Sequence, residues 1–147
     1  MSDVVLGGAL PFESVAFERG VTLDVDVTPD LVLTGDEGQL RRLVRILLDN
    51  ACKYAGDGGK GTLTLTREGD KARLTVRNTG APIPPEHLPH VFERFYRADS
   101  SRSREQGGYG LGLAIAHSIV ERHRGRITVT SREGEDTVFQ VWLPLRG

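Results

Sequence analysis

The chain has 147 residues, enough for one domain built on one core. Its 38% hydrophobic and 27% charged residues, with no apolar run approaching a membrane span, predict a soluble globular domain and exclude a transmembrane class. Nineteen Lys and Arg against 20 Asp and Glu leave a net charge of -1, so no global field draws the chain to nucleic acid or to an anionic membrane, and the single Cys52 excludes an internal disulfide framework.

In chain order, Gly7-Gly8 and Pro11 precede Phe12, Val15 and Ala16 at helical spacing, which predicts a short helix over about 11–19. Residues 1–20 are set apart as an N-terminal remnant, and the domain is expected over 21–147. The start lacks the basic and apolar regions of a signal peptide. Val21, Leu23, Val25 and Val27 alternate with polar residues as in a half-buried strand, and Leu31-Val32-Leu33 reads as a second short strand.

Asp36 then offers an N-cap for a long helix reaching about Tyr54. Leu40, Leu43, Val44, Leu47, Leu48, Ala51 and Cys52 supply its apolar stripe. Alternation around Leu63–Leu65 and Leu74–Val76, with Glu68-Gly69-Asp70-Lys71 between, predicts a hairpin. A connection over 78–110 carries four prolines, a helical piece near 86–95 and a polar stretch over 98–108. So long a connection in a compact domain implies a use. A second helix is expected over about 109–123, ended by Gly125, and two alternating strands over 126–131 and 137–143 close the chain. Thr and Arg fill the alternate strand positions, so one sheet face should be wet. The expected class is α+β, a two-layer α/β sandwich with helices on one face of a mostly antiparallel mixed sheet.

Four places carry candidate chemistry. At about 100° per residue, Ile46, Asn50 and Lys53 share one flank of the long helix, with Tyr54 beside them. An amide oxygen can ligate Mg²⁺, an ammonium can meet a phosphate, and a phenol ring can lie against a base. A solvated helix terminus would carry the same residues. Gly107-Gly108-Tyr109-Gly110-Leu111-Gly112-Leu113 opens the second helix, where glycine amides and the helix dipole suit a phosphate. Leu113 stands where a dinucleotide fingerprint needs glycine, and G-x-x-x-x-G-K-[ST] is absent. Asn78-Thr79-Gly80-Ala81-Pro82-Ile83 follows a strand, and Phe92-Glu93-Arg94-Phe95-Tyr96-Arg97 is an aromatic and basic patch.

In this order the segments resemble the N, G1, F and G2 boxes of the histidine kinase branch of the GHKL ATPases, from about Val21 to the end. The sequence from Gly108 to Ile115, Ile127-Thr128-Val129-x-Ser131 and the final Leu143-Pro144 strengthen the likeness. The resemblance implies the sandwich fold with a mobile ATP lid over about 98–108, and Mg²⁺-ATP as ligand. By position, it implies that Asn50 holds Mg²⁺, that Lys53 and Arg97 face the phosphates, and that Tyr54 lies along the adenine. Phe92 and Phe95 would anchor the lid. Gly108, Gly110 and Gly112, with the amides of Tyr109, Leu111 and Leu113, would receive the phosphate tail, and Asn78, Gly80, Ile83 and Tyr96 complete the nucleotide set.

The G1 box of the family usually reads Asp-x-Gly-x-Gly, with the aspartate accepting from the adenine amino group. Here Asn78 and Pro82 depart from it. An asparagine can accept or donate, so weaker discrimination of ATP against GTP is expected. The acceptor histidine would sit in an H-[ED]-x-R-x-P segment on a dimeric helical hairpin. His87, His90, His117 and His123 lack that context, so the chain should bind ATP with little turnover alone. The resemblance further implies a dimerisation and phosphotransfer domain and a response regulator as partners, and a cytoplasmic place within a membrane-anchored parent. An anti-sigma-type serine kinase and a degenerate docking module are the alternatives.

Overall fold

The computed structural model describes residues 1–56, 58–80, 82–93, 112–132 and 134–145. Helices α1 (Ser2–Ala9) and α2 (Phe12–Glu18) lead into strand β1 (Thr22–Val27) and the long helix α3 (Glu37–Ala55). The hairpin β2 (Lys60–Glu68) and β3 (Lys71–Asn78) follows, then a 3-10 turn at Leu88–His90, helix α4 (Gly112–Arg122) and strands β4 (Arg126–Thr130) and β5 (Thr137–Pro144). Among the described residues the sheet has five strands, in the order β1-β2-β3-β5-β4. Only β1 and β2 pair in parallel, and the other neighbours are antiparallel. This is the mixed sheet expected, with α3 and α4 on one face.

The cause lies in two periodicities that agree. Along β2, β3 and β5, alternate residues Leu63, Leu65, Leu74, Val76, Phe139, Val141 and Leu143 are at most 1% exposed. They meet the helical stripe Leu43, Val44, Leu47 and Leu48, each fully buried, together with Leu113, Ala116, Ile119 and Val120 of α4. Asp36 caps α3 by accepting from the Gln39 N–H at 3.1 Å. Gly56, at φ 73°, turns the chain out of it.

Four expectations change. Helix α1 lies in a stretch before the one helix expected at this end: a Cβ on Gly8 would sit 3.1 Å from Val44 Cγ1, so glycine there permits close helix packing. Val5 and Ala9 of α1 are fully buried in the main core. Leu31–Leu33 forms no strand, because α1 takes the backbone of Leu31. Its carbonyl accepts from the amino terminus and from Ser2 N–H, and its own N–H donates to Ser2 Oγ. The helical piece expected near 86–95 is, among the described residues, only the 3-10 turn, since Pro89 removes a donor within it. Finally, the left-handed residue after α4 is Arg124 at φ 59°, not Gly125. Gly125 serves close approach instead, for a Cβ there would lie 2.4 Å from the Trp142 carbonyl.

Candidate functional site

The C-terminal turns of α3 carry Asn50, Lys53 and Tyr54 to the end of the sheet where β3 finishes. Asn50 is 9% exposed, and its amide is not among the fully buried atoms that lack a partner, so it stands at the edge of the core rather than sealed within it. Four residues before it, Ile46 meets the start of α4: a Cβ on Gly112 would lie 3.7 Å from Ile46 Cγ2. The buried Leu113 follows. Asn50 and the first described turn of α4 are thus brought to one place.

Lys53 is ion-paired with Asp49 at 3.0 Å, and Asp49 also meets Arg19 at 3.3 Å. The Lys53 and Asp49 side chains are more than a third exposed, so the pair is weak and Lys53 can leave it at little cost. Tyr54 is half-buried, and burial pushes its phenol above the ordinary value. Cys52 is core filler, 2% exposed, with its thiol likewise pushed up by burial.

The segment after β3 is fastened against these residues. Gly80 lies at φ 116°, and a Cβ there would come 2.0 Å from the Tyr54 carbonyl oxygen, so this position needs glycine for both conformation and space. Thr79 joins the start of β2 twice: its N–H donates to the Lys60 carbonyl at 3.0 Å, and its Oγ1 accepts from Lys60 N–H at 2.9 Å. Asn78 is 2% exposed, and its Nδ2 donates to the Thr79 carbonyl at 2.7 Å. Turning the amide over would set Oδ1 against that carbonyl oxygen. With Nδ2 engaged there, Oδ1 is the atom of this amide left to meet a ligand. Ile83, 7% exposed, donates its N–H to Ser131 Oγ at 2.8 Å.

Phe92 stacks on His117 of α4 at 5.6 Å and meets the Phe139 ring edge-on at 6.2 Å. It ties the segment before residue 94 to both layers of the fold. Phe95, Tyr96, Arg97, the stretch 98–108, Gly108, Tyr109, Gly110 and Leu111 lie outside the described residues. Thr79 and Ser131 lie within motifs the sequence marks, Asn78-Thr79-Gly80-Ala81-Pro82-Ile83 and Ile127-Thr128-Val129-x-Ser131, whereas no motif marks Thr137. His117 pairs with Glu121 at 3.2 Å. His123 bridges α4 to the α3 cap, accepting from Asp36 N–H at 3.0 Å. No described helix is long and apolar enough to cross a membrane.

Residues 35–147 match the family described as histidine kinase-, DNA gyrase B-, and HSP90-like ATPase. The sensor histidine kinase RppB of Synechocystis sp. is 41% identical over 146 residues, covering 99% of this chain and 32% of RppB. Among solved structures, the mycobacterial sensor histidine kinase MprB is 32% identical with a TM-score of 0.85, over 99% of this chain and 96% of that one. Full-length ShkA in complex with AMPPNP is 26% identical with a TM-score of 0.82, over 98% of this chain and 30% of that one. The chain spans about a third or less of the curated relatives it matches, 32% of RppB and 27% of CusS from Escherichia coli K12.

Proposed function

Because the chain belongs to the histidine kinase-, DNA gyrase B-, and HSP90-like ATPase family, in its sensor histidine kinase branch, we propose that it holds Mg²⁺-ATP and donates the γ-phosphate to a histidine on a separate dimerisation domain. The observation that carries this reading is Asn50, an amide at the edge of the core at the end of α3, one helical turn after Ile46, which meets the start of α4. The AMPPNP bound to the ShkA relative supports the nucleotide part.

Asn50 fits a Mg²⁺ ion, which prefers few protein oxygens and shares nucleotide phosphates and water. Bound there, the ion supplies charge neutralisation for the phosphates. Lys53, released from Asp49, faces the same phosphates with Arg97. The amides from Gly108 to Leu113 receive the phosphate tail at the start of α4. Tyr54 and Ile83 border the base, Gly80 lets the loop lie against α3, and Asn78 presents its amide oxygen to the adenine amino group. Phe92, packed on His117 and Phe139, anchors the ATP lid together with Phe95, the role the family resemblance gives both.

Transfer then asks for position more than for covalent help. A neutral imidazole nitrogen of the acceptor forms a bond to the γ-phosphorus as the bond to the ADP oxygen breaks. ADP leaves with the electron pair, and the imidazole gives up a proton from its other nitrogen. The phosphoryl group passes on to a response regulator, and the parent protein is a membrane-anchored sensor with this domain in the cytoplasm.

The test supplies γ-labelled ATP, Mg²⁺, this chain and a histidine-bearing helical hairpin from a matching parent. Label on the hairpin histidine, with little ATP turnover by the chain alone, is the expected result. Label on a serine of another protein, or none on the hairpin while ATP is bound, overturns the kinase assignment.

A further inference from the structure

On the solvent side of α3 lies a groove of about 590 Å³, lined by this helix and by Phe12 at the start of α2. It gathers three arginines of α3, Arg41, Arg42 and Arg45, all exposed. At about 100° per residue they fall on the helix face opposite the core stripe of Leu43 and Leu47. Arg41 and Arg45 are four residues apart, and Arg42 and Arg45 three, spacings at which like charges oppose one another and weaken a helix. Phe12 and Ile46, both half-buried, give the groove apolar walls.

The acids nearby are already engaged. Glu37 pairs with Arg41 at 2.9 Å, and Asp49, four residues beyond Arg45, is held by Arg19 at 3.3 Å and by Lys53 at 3.0 Å. Among the described residues, neither Arg42 nor Arg45 has an ion pair. The chain as a whole carries a net charge of -1, so this is a local excess of positive charge and no part of a general basic field. A nucleic acid would find no basic surface beyond the groove and would meet Asp49 at its end. A free phosphate would leave Phe12 and Ile46 wet. A polypeptide segment with carboxylates spaced to reach Arg42 and Arg45, and apolar side chains between them, matches both features, because the arginine fork meets a carboxylate with two parallel hydrogen bonds.

We propose that this face of α3 docks an acidic segment of a partner polypeptide, with its carboxylates on Arg42 and Arg45 and its apolar side chains against Phe12 and Ile46. Arg41 adds a third contact, since it and Glu37 are both more than a third exposed and separate at little cost. Exposed charges of this kind set partner choice, rate and salt dependence more than final affinity. No bound nucleotide is needed for the docking, so it stands or falls apart from the nucleotide reading.

Fluorescence anisotropy tests this without nucleotide, using a fluorescein-labelled helical peptide with Glu and Leu on one face and a second peptide with Gln in place of every Glu. Wild type should bind the Glu peptide, and weaken by at least about threefold as salt rises from about 0.05 M to about 0.2 M. The Gln peptide, and the double variant Arg42→Gln with Arg45→Gln, should each cost about tenfold, the scale of two exposed charge contacts. Arg122→Gln with Arg132→Gln removes the same charge from exposed positions outside the groove, and should stay within about twofold of wild type, since charges beyond a Debye length are screened. All four side chains are exposed, so both double variants should unfold at the urea concentration of wild type or above it. A wild-type chain that does not bind the Glu peptide overturns the proposal, as does equal binding of the Gln peptide or of the Arg42 and Arg45 variant. Equal weakening by the two double variants would also overturn it, as general charge attraction, and so would inorganic phosphate displacing the peptide beyond sodium chloride of the same ionic strength, as a simple anion site.

Discussion

Replacing Gly80 with alanine should damage stability and binding together. The backbone at φ 116° is one that residues with a Cβ rarely adopt, at a cost of about 1–3 kcal/mol. The new methyl would also sit 2.0 Å from the Tyr54 carbonyl oxygen and 3.4 Å from Ala55 Cα, both main-chain atoms of α3 that cannot turn aside. Relieving such overlap adds about 1–3 kcal/mol. The whole loss, about 2–6 kcal/mol, is a large part of the roughly 5–15 kcal/mol by which domains of this kind are stable. With a urea slope of about 1–3 kcal/mol per molar, the unfolding midpoint should fall by about 2 M. Because the loop must lift away from Tyr54, nucleotide affinity should fall in the fraction that remains folded. Gly69→Ala is the control: Gly69 has φ 62°, but an added methyl would find nothing within 4 Å, so this variant should lose only about 1 kcal/mol and keep its affinity. A Gly80→Ala chain that unfolds with the Gly69→Ala chain and binds ATP like wild type would show that neither the strain nor the overlap is felt.

Asn78, its Nδ2 committed to the Thr79 carbonyl, should favour ATP over GTP by at least about tenfold in a competition assay, and GTP displacing ATP at equal concentration contradicts this. Asp36→Ala removes the cap of α3 and should cost about 1 kcal/mol by urea unfolding, whereas an unchanged midpoint would show that the Gln39 bond contributes nothing. Burial raises the Cys52 thiol above its ordinary value of 9.0. The unfolded chain therefore ionises first, so the stability held by the neutral thiol is complete below that value and is lost as pH rises through the higher folded one. Unfolding midpoints followed into the alkaline range should fall less steeply in Cys52→Ala than in wild type, and parallel curves would contradict it. Tyr54, raised by burial from 10.0, adds to the same alkaline loss at higher pH.

Much of this fold is local, and what is local was readable. The stripe from Leu40 to Cys52 and the Asp36 cap mark α3 without any knowledge of its neighbours, and Gly69-Asp70 marks the β2–β3 turn. The failures share a cause, which is contact between distant residues. Nothing near Leu31 reveals that Ser2 will take its backbone, and nothing near Gly8 reveals that Val44 will lie against it. The site divides in the same way. Asn50, Lys53 and Tyr54 are related by helical spacing, so their shared flank is visible in the sequence. Ser131 and Thr137 enter the site only because the pairing of β3 with β5 brings them beside Asn78 and Ile83. Asn78 is an intermediate case, since its identity was plain but the direction of its amide depends on the Thr79 carbonyl.

If Asn50 is the protein's hold on a magnesium-bound nucleotide, calorimetric titration of ATP into wild type and Asn50→Ala, each with Mg²⁺ and with EDTA, will show it. Wild type should bind ATP in a Mg²⁺-dependent way, and a folded Asn50→Ala chain should lose at least about tenfold in affinity, the scale of losing one charge-assisted contact. Equal affinity in all four titrations, or no binding by wild type in either condition, would contradict it.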